Sequence, residues 1–263
     1  MCLAINQQRK RADKQRTGQD GDADREGPLE REALVVAEIH ARKPHEQVGR
    51  GHERRQQVNG LPHQRGTRHL HGIRAEVVNA GIGDTTTRDG VLRFDRDVRS
   101  HAPHLVIIQF GINDSWINAD LGRTEPRLAR AEFRNNLRYF IRTLRADGAT
   151  TILMTPNPMR WSDPFYIELF TSKPGLLDTT QVRGINALLD RYSQDVRDIA
   201  VEQDTPLVDV LAAFEDYGEQ PGRSIDDLLL AGDGMHPNDA GQRLVCDLLT
   251  PGVAAALARM ARP

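Results

Sequence analysis

The chain has 263 residues, 38% of them apolar and 27% charged, with a formal charge of −2. That length suits one domain of ordinary to large size, with room for an appendage. No run approaches the ~20 consecutive apolar residues of a membrane-crossing helix. The start, MCLAINQQRKRADKQ, lacks the apolar stretch and cleavage site of a secretory leader, so a cytoplasmic location is the expectation. Two cysteines, Cys2 and Cys246, are too few for a disulfide framework and read as free thiols.

The averages conceal a division. Residues 1–74 hold 15 Lys+Arg against 10 Asp+Glu, a balance of +5, whereas the rest carries 20 against 27, or −7. The first segment contains six of the nine histidines but neither a serine nor an aromatic residue. With 20 apolar residues in 74, it has little to bury against the entropy of ordering. Residues 1–74 are therefore set apart as an atypical segment, expected to be disordered or mistranslated, and 75–263 as the globular body.

From residue 75 the apolar pattern becomes regular. AEVVNAG (75–81) reads as a buried strand closed by glycine. Val91, Phe94 and Val98 recur at helical spacing and predict an amphipathic helix over 88–103. HLVIIQFG (104–111) is an unbroken apolar run, as in a central parallel strand covered on both faces. Phe133, Leu137, Phe140, Ile141 and Leu144 form one stripe of a helix over 130–148, stopped at Gly148. TTILMTPNP (150–158) predicts the next strand, followed by an aromatic-rich loop over 160–176. A second long helix is expected over 181–204 and a fourth strand over 205–210. The last helix, 238–261, contains Pro251, which is expected to kink or divide it. This alternation argues an α/β fold with a mostly parallel sheet and helices on both faces.

Ligands in such a sheet bind beyond the carboxyl ends of the strands. Three segments fall there: Asn79 to Thr86, Gly111 to Asp114, and Asp233 to Pro237. Each has an ordinary reading, as a glycine turn, an Asx turn with Asp114 as a helix cap, and an N-cap beside a surface histidine. Together they hold most of an acyl-transfer site. A histidine three residues after an aspartate reaches it across a tight turn, so Asp233 is able to hold the His236 imidazole in one tautomer. The Asn113 amide and a backbone N–H from a glycine turn are the donor types that stabilise an oxyanion.

NAGIGDTT (79–86), FGINDS (110–115) and DGMHPNDAG (233–241) resemble the second, third and fifth blocks of the SGNH hydrolases, also called the GDSL esterase/lipase family. The resemblance spans residues 75–250. It implies a three-layer α/β/α flavodoxin-like fold with a parallel sheet, no metal or other cofactor, and hydrolysis of carboxylic esters such as acetylated sugars, lipids or aryl esters. The implied partner is then a small-molecule ester. Asn113 matches the oxyanion-hole asparagine, and Asp233 with His236 the Asp-x-x-His pair. The second oxyanion donor is Gly83 after a one-residue shift, or Asp84 when counted without a gap. Gly83 is preferred because it puts no carboxylate beside a developing oxyanion. Trp116, after the third block, and Trp161, in the aromatic loop, are candidates for substrate contact.

One part of the pattern is missing. The family's nucleophile is the serine of Gly-Asp-Ser directly after the first strand, and this chain has no serine before Ser100. The strand-like run ALVV (33–36) is followed by Ala37-Glu38-Ile39 where that motif is expected. Ser115, beside Asn113, fits a helix cap rather than a nucleophile. The first strand is accordingly expected to be lacking or aberrant. Three readings of the gap remain open. One is an esterase behind a mistranslated start, inactive as written. Another is a pseudoenzyme or ligand-binding module that uses the same pocket, and the third is a basic arm that binds polyanions. A balance of +5 over 74 residues is a modest field, and the segment offers no aromatic stacking platform, which argues against nucleic acid.

Overall fold

The computed structural model describes residues 32–38, 64–70, 73–118, 121–160, 186–231 and 234–260. Six strands build one sheet: β1 (Glu32–Glu38), β2 (Gln64–Leu70), β3 (Ile73–Asn79), β4 (Leu105–Gln109), β5 (Thr150–Met154) and β6 (Leu207–Val208). Their order is β2-β3-β1-β4-β5-β6. The last five members of that order run parallel, and β2 lies antiparallel to β3 at the edge. Without β2, the order is the 2-1-3-4-5 of flavodoxin-like sheets, whose ligand crevice opens where strand order reverses beside the first strand.

The expected gap at the first strand is filled. Val35 and Val36 of β1 stand in register with Val77 and Val78 of β3 on one side, and with Leu105 and Val106 of β4 on the other. Backbone pairing on both edges makes β1 an interior strand, which an apolar run of five residues is long enough to support. The compositional boundary between residues 74 and 75 falls within β3, so the sheet runs across it.

Among the described residues six α-helices lie over the sheet: α1 (Thr87–Asp97), α2 (Ile112–Ser115), α3 (Arg130–Ala146), α4 (Asn186–Glu202), α5 (Val210–Gly218) and α6 (Asp239–Met260). At the start of α1 the Asp89 carboxylate accepts from the Thr86 N–H at 2.8 Å and from its hydroxyl at 2.7 Å, which satisfies donors a helix start leaves over. The strands' two-residue period sorts the core into two layers. Val78, Val106, Ile108 and Leu153 pack with Phe94, Phe133, Phe140 and Tyr192 beneath α1, α3 and α4. Val77, Leu105, Ile107, Ile152 and Met154 pack with Phe214, Val245, Leu249 and Leu257 beneath α5 and α6. The stripe expected on α3 is the buried one, residue for residue.

Three expectations are corrected. The strand expected over 205–210 is two residues long, because Asp209 caps α5, accepting from the Ala212 N–H at 3.2 Å. Pro251 does not divide the last helix, which runs from Asp239 to Met260. Buried Leu249, Val253, Ala256 and Leu257 hold both halves against the sheet, so packing outweighs the hydrogen bond that proline removes. Cys246, buried on α6, is disulfide-bonded rather than free. The aromatic loop over 161–176 lies outside the described residues. Among the described residues no helix is long and apolar enough to cross a membrane.

At Gly90 α1 packs tightly against the residue that follows β4 and against α3: an added Cβ would stand 2.9 Å from the Phe110 ring and 3.1 Å from that of Phe140. Gly90→Val is expected to destabilise the chain by about 1–3 kcal/mol through overpacking, read as a lower urea midpoint at unchanged slope.

Candidate active site

Two loops leave the sheet on either side of the carboxyl end of β1. The loop after β3 begins with Asn79, whose side-chain oxygen accepts the Gly81 N–H at 2.9 Å. Buried Arg93 of α1 donates to the Ala80 carbonyl at 2.6 Å and fixes the loop from beneath. Gly83 and Asp84 form the turn that follows, with Asp84 in the left-handed region at φ 65°. Its exposed carboxylate accepts from Arg127 at 2.6 Å.

The loop after β4 turns at Gly111, whose φ of 133° no residue with a side chain adopts without strain. A Cβ there would also meet the Pro156 ring at 3.2 Å. The turn launches the short helix α2, which carries Asn113 half-buried at its second position and buries Asp114 beside it. Asp114 Oδ1 accepts from the Thr87 N–H at 2.8 Å and from its hydroxyl at 2.7 Å. It therefore bolts α2 to the start of α1. The Asp114 carbonyl accepts the Leu128 N–H, and the Leu128 carbonyl accepts the Tyr192 hydroxyl, so α4 supports the same frame. Ser115 is buried, and its hydroxyl donates to the Ile112 carbonyl at 3.0 Å. That is a local helical role, in keeping with its reading as a structural residue.

His236 comes from a third loop, between the turn at Ile225–Leu228 and α6. The loop folds back on itself: the Leu230 N–H donates to the His236 carbonyl at 2.8 Å, and Leu229 bridges to Pro237. Asn157, buried beyond the end of β5, donates to the Met235 carbonyl at 2.8 Å. The Arg160 N–H donates to Gly234 at 2.6 Å. Asn238 Nδ2 reaches the carbonyls of Asp227 and Leu229 at 2.9 and 3.0 Å, and its oxygen accepts the N–H groups of Ala240 and Gly241 at the start of α6. The histidine is therefore held by main-chain contacts to the carboxyl edge of the sheet.

Of the residues expected from sequence, Gly83, Asp84 and Asn113 lie on the two loops beside β1, and Arg127 links those loops. Trp116 follows α2 half-buried, its carbonyl accepting the Arg127 N–H at 2.8 Å. Asp233 and Trp161 lie outside the described residues. Arg127, Thr87 and Asn157 were not legible as parts of the site, since their partners are 14 to 78 residues away in sequence. Among the described residues no group of three or more His, Cys, Asp or Glu side chains is placed to hold a metal ion.

Burial pushes the Asp114 carboxyl up to about 6, partly offset by the hydrogen bonds from Thr87. The folded chain thus prefers the protonated form, whose stabilisation is fully present below the ordinary value of 3.8 and is lost as pH rises through about 6. Wild-type stability is expected to fall by on the order of 3 kcal/mol between these limits. The slope should disappear in Asp114→Asn, as read by urea titrations at stepped pH. Asn157→Ala leaves the Met235 carbonyl without this donor. It should cost about 1–3 kcal/mol and speed amide exchange over residues 234–238, seen by hydrogen–deuterium exchange.

The model of the GDSL-like lipase/acylhydrolase family matches residues 34–244. The chain is 31% identical to the uncharacterised lipoprotein YqeF of Bacillus subtilis over 182 residues, covering 67% of this chain and 73% of that protein. It is 32% identical to an acetylxylan esterase of Geobacillus stearothermophilus over 175 residues, covering 66% and 69%. Among solved structures, a lipase/acylhydrolase from Enterococcus faecalis superposes with a TM-score of 0.53 at 25% identity, over 69% of this chain and 77% of that one. The match begins within β1 and takes in the loops after β3 and β4 and the loop of His236; the chain belongs to the GDSL-like lipase/acylhydrolase family.

Proposed function

We propose that the chain is built to hydrolyse small carboxylic esters, with short acyl groups such as acetyl on a sugar or aryl alcohol as the substrate class. The observation that carries this is the joining of the Gly83 turn and the Asn113 helix across the carboxyl end of β1, which supports a two-donor oxyanion pocket. The acetylxylan esterase and an arylesterase of Vibrio mimicus, 32% identical over 36% of this chain and 46% of that protein, support the substrate class.

A serine at the end of β1 would attack the ester carbonyl while His236 removes its proton, and Asp233 would steady the imidazolium. The carbonyl oxygen, now anionic, would take hydrogen bonds from the Asn113 amide and the Gly83 N–H. His236 would return the proton to the leaving alkoxide, and water would release the acid by the same steps. Trp116 and Trp161 are assigned to the alcohol or acyl side of the pocket. Asp114 acts on none of these atoms; its part is to seat α2.

The chain as written has Ala37-Glu38-Ile39 where this mechanism requires Gly-Asp-Ser, so the proposal includes that it does not turn over esters. The same absence favours a second reading, that the pocket binds an ester without cleaving it.

With p-nitrophenyl acetate, wild type is expected to show no rate above His236→Ala. The combined substitution Ala37→Gly, Glu38→Asp and Ile39→Ser is expected to gain turnover that His236→Ala abolishes. Wild-type turnover that depends on His236 would overturn the inactivity. A serine-bearing chain that folds and stays silent would overturn the ester-hydrolase reading.

A further inference from the structure

Arg127 stands between α2 and α3, outside all three sequence blocks that suggested the site. Its own N–H is tied to the Trp116 carbonyl at 2.8 Å, which fixes where the side chain starts. From there the guanidinium reaches both loops beside β1. Nη1 donates to Asp84 Oδ1 at 2.6 Å and, at a longer 3.4 Å, to Asn113 Oδ1, while Nε donates to Asn118 Oδ1 at 3.1 Å.

Two consequences follow from this placement. A guanidinium donates and never accepts, so it selects the oxygen end of the Asn113 amide and turns the NH2 end to the other side. Reversing the amide would set donor against donor. Even at 3.4 Å the choice keeps its sign, because a positive group beside an amide dipole favours the oxygen. The second consequence concerns charge. Asp84 adjoins Gly83, and an uncompensated carboxylate there would oppose a developing oxyanion. The ion pair sets a cation directly against it.

We propose that Arg127 is a positioning residue for the oxyanion pocket: it dictates which end of the Asn113 amide the pocket presents and compensates Asp84. Its value to a reaction rests on the ester-hydrolase reading, whereas its hold on the amide does not.

The amide is observable directly. In 15N-labelled protein, the Asn113 side-chain NH2 pair is assigned by its loss in Asn113→Asp. In wild type it should lie apart from exposed amides. In Arg127→Met it should move toward them, with backbone dispersion showing that the chain still folds. Arg127→Lys retains a cation for Asp84 but loses the Nε contact with Asn118 that aims the guanidinium between the two loops, so it should release the amide in the same way. Asp84→Asn should leave the Asn113 pair near its wild-type position. An Asn113 pair unmoved in either folded Arg127 variant would overturn the proposal.

A second arm uses the serine-bearing chain. Arg127→Met should lower kcat by on the order of tenfold or more, bounded by the ~10²–10³ loss of a whole oxyanion donor, with KM little changed. Arg127→Lys should recover part of the rate, because it restores the charge opposite Asp84. An unchanged kcat in both variants would overturn the role in the pocket. If the serine-bearing chain shows no turnover, the function proposed above fails, while the amide resonance still decides whether Arg127 sets the orientation of Asn113.

Discussion

The buried Asp114 carboxylate is the joint on which the carboxyl edge of the sheet depends. Its Oδ1 holds the first residue of α1 by both N–H and hydroxyl. Its own backbone lies in α2, and its carbonyl catches the segment that leads to α3. Three chain segments that diverge from the sheet are thereby referred to one residue. Neither neighbouring strand is long enough to do this alone: β3 ends at Asn79 and β4 at Gln109. The buried charge is unfavourable in itself, and a neutral side chain would avoid that penalty. What the side chain contributes is reach, which brings one oxygen to both Thr87 donors at once.

A layered division of labour surrounds this joint. In the core beneath α1, α3 and α4 the Phe140 ring lies against those of Phe94 and Phe110 at 4.9 and 6.0 Å. Ion pairs join the helices around it. On the α3–α4 seam, Arg130 grips buried Asp195 through Nε and Nη2 at 2.7 and 2.8 Å, and Arg134 adds a third contact at 2.7 Å. A carboxylate so enclosed is tolerable because each oxygen has a charged donor. That seam keeps Tyr192 where its hydroxyl meets Leu128, and so sustains the frame of Asn113 from a distance.

Most of the sheet and helix content was legible, and for a simple reason: period and burial coincide. The stripe from Phe133 to Leu144 is helical because only a 3.6-residue repeat puts those five side chains on one face. Elements whose stability comes from elsewhere were not legible. β2, QRGTRHL, has no apolar alternation and is a strand through pairing with β3, from which two residues separate it. β1 shows five apolar residues between two glutamates, and its place in the sheet comes from neighbours on both edges. Pro251 obeys packing rather than local propensity. In the site, Asn113 and His236 were visible because their chemistry is compressed into short motifs. Arg127 was not, since its meaning depends on Asp84, 43 residues away, and nothing local distinguishes it from other surface arginines.

The tether on the histidine loop has a further implication. Asn157 grasps the carbonyl of Met235, and the returning Leu230 grasps that of His236. Both are main-chain groups that every amino acid possesses. Substitution at position 235 would therefore leave both grips intact, whatever side chain stands there. Such a loop separates two inheritances: the posture of the imidazole passes unchanged through the backbone, while the character of the wall beside it is free to drift.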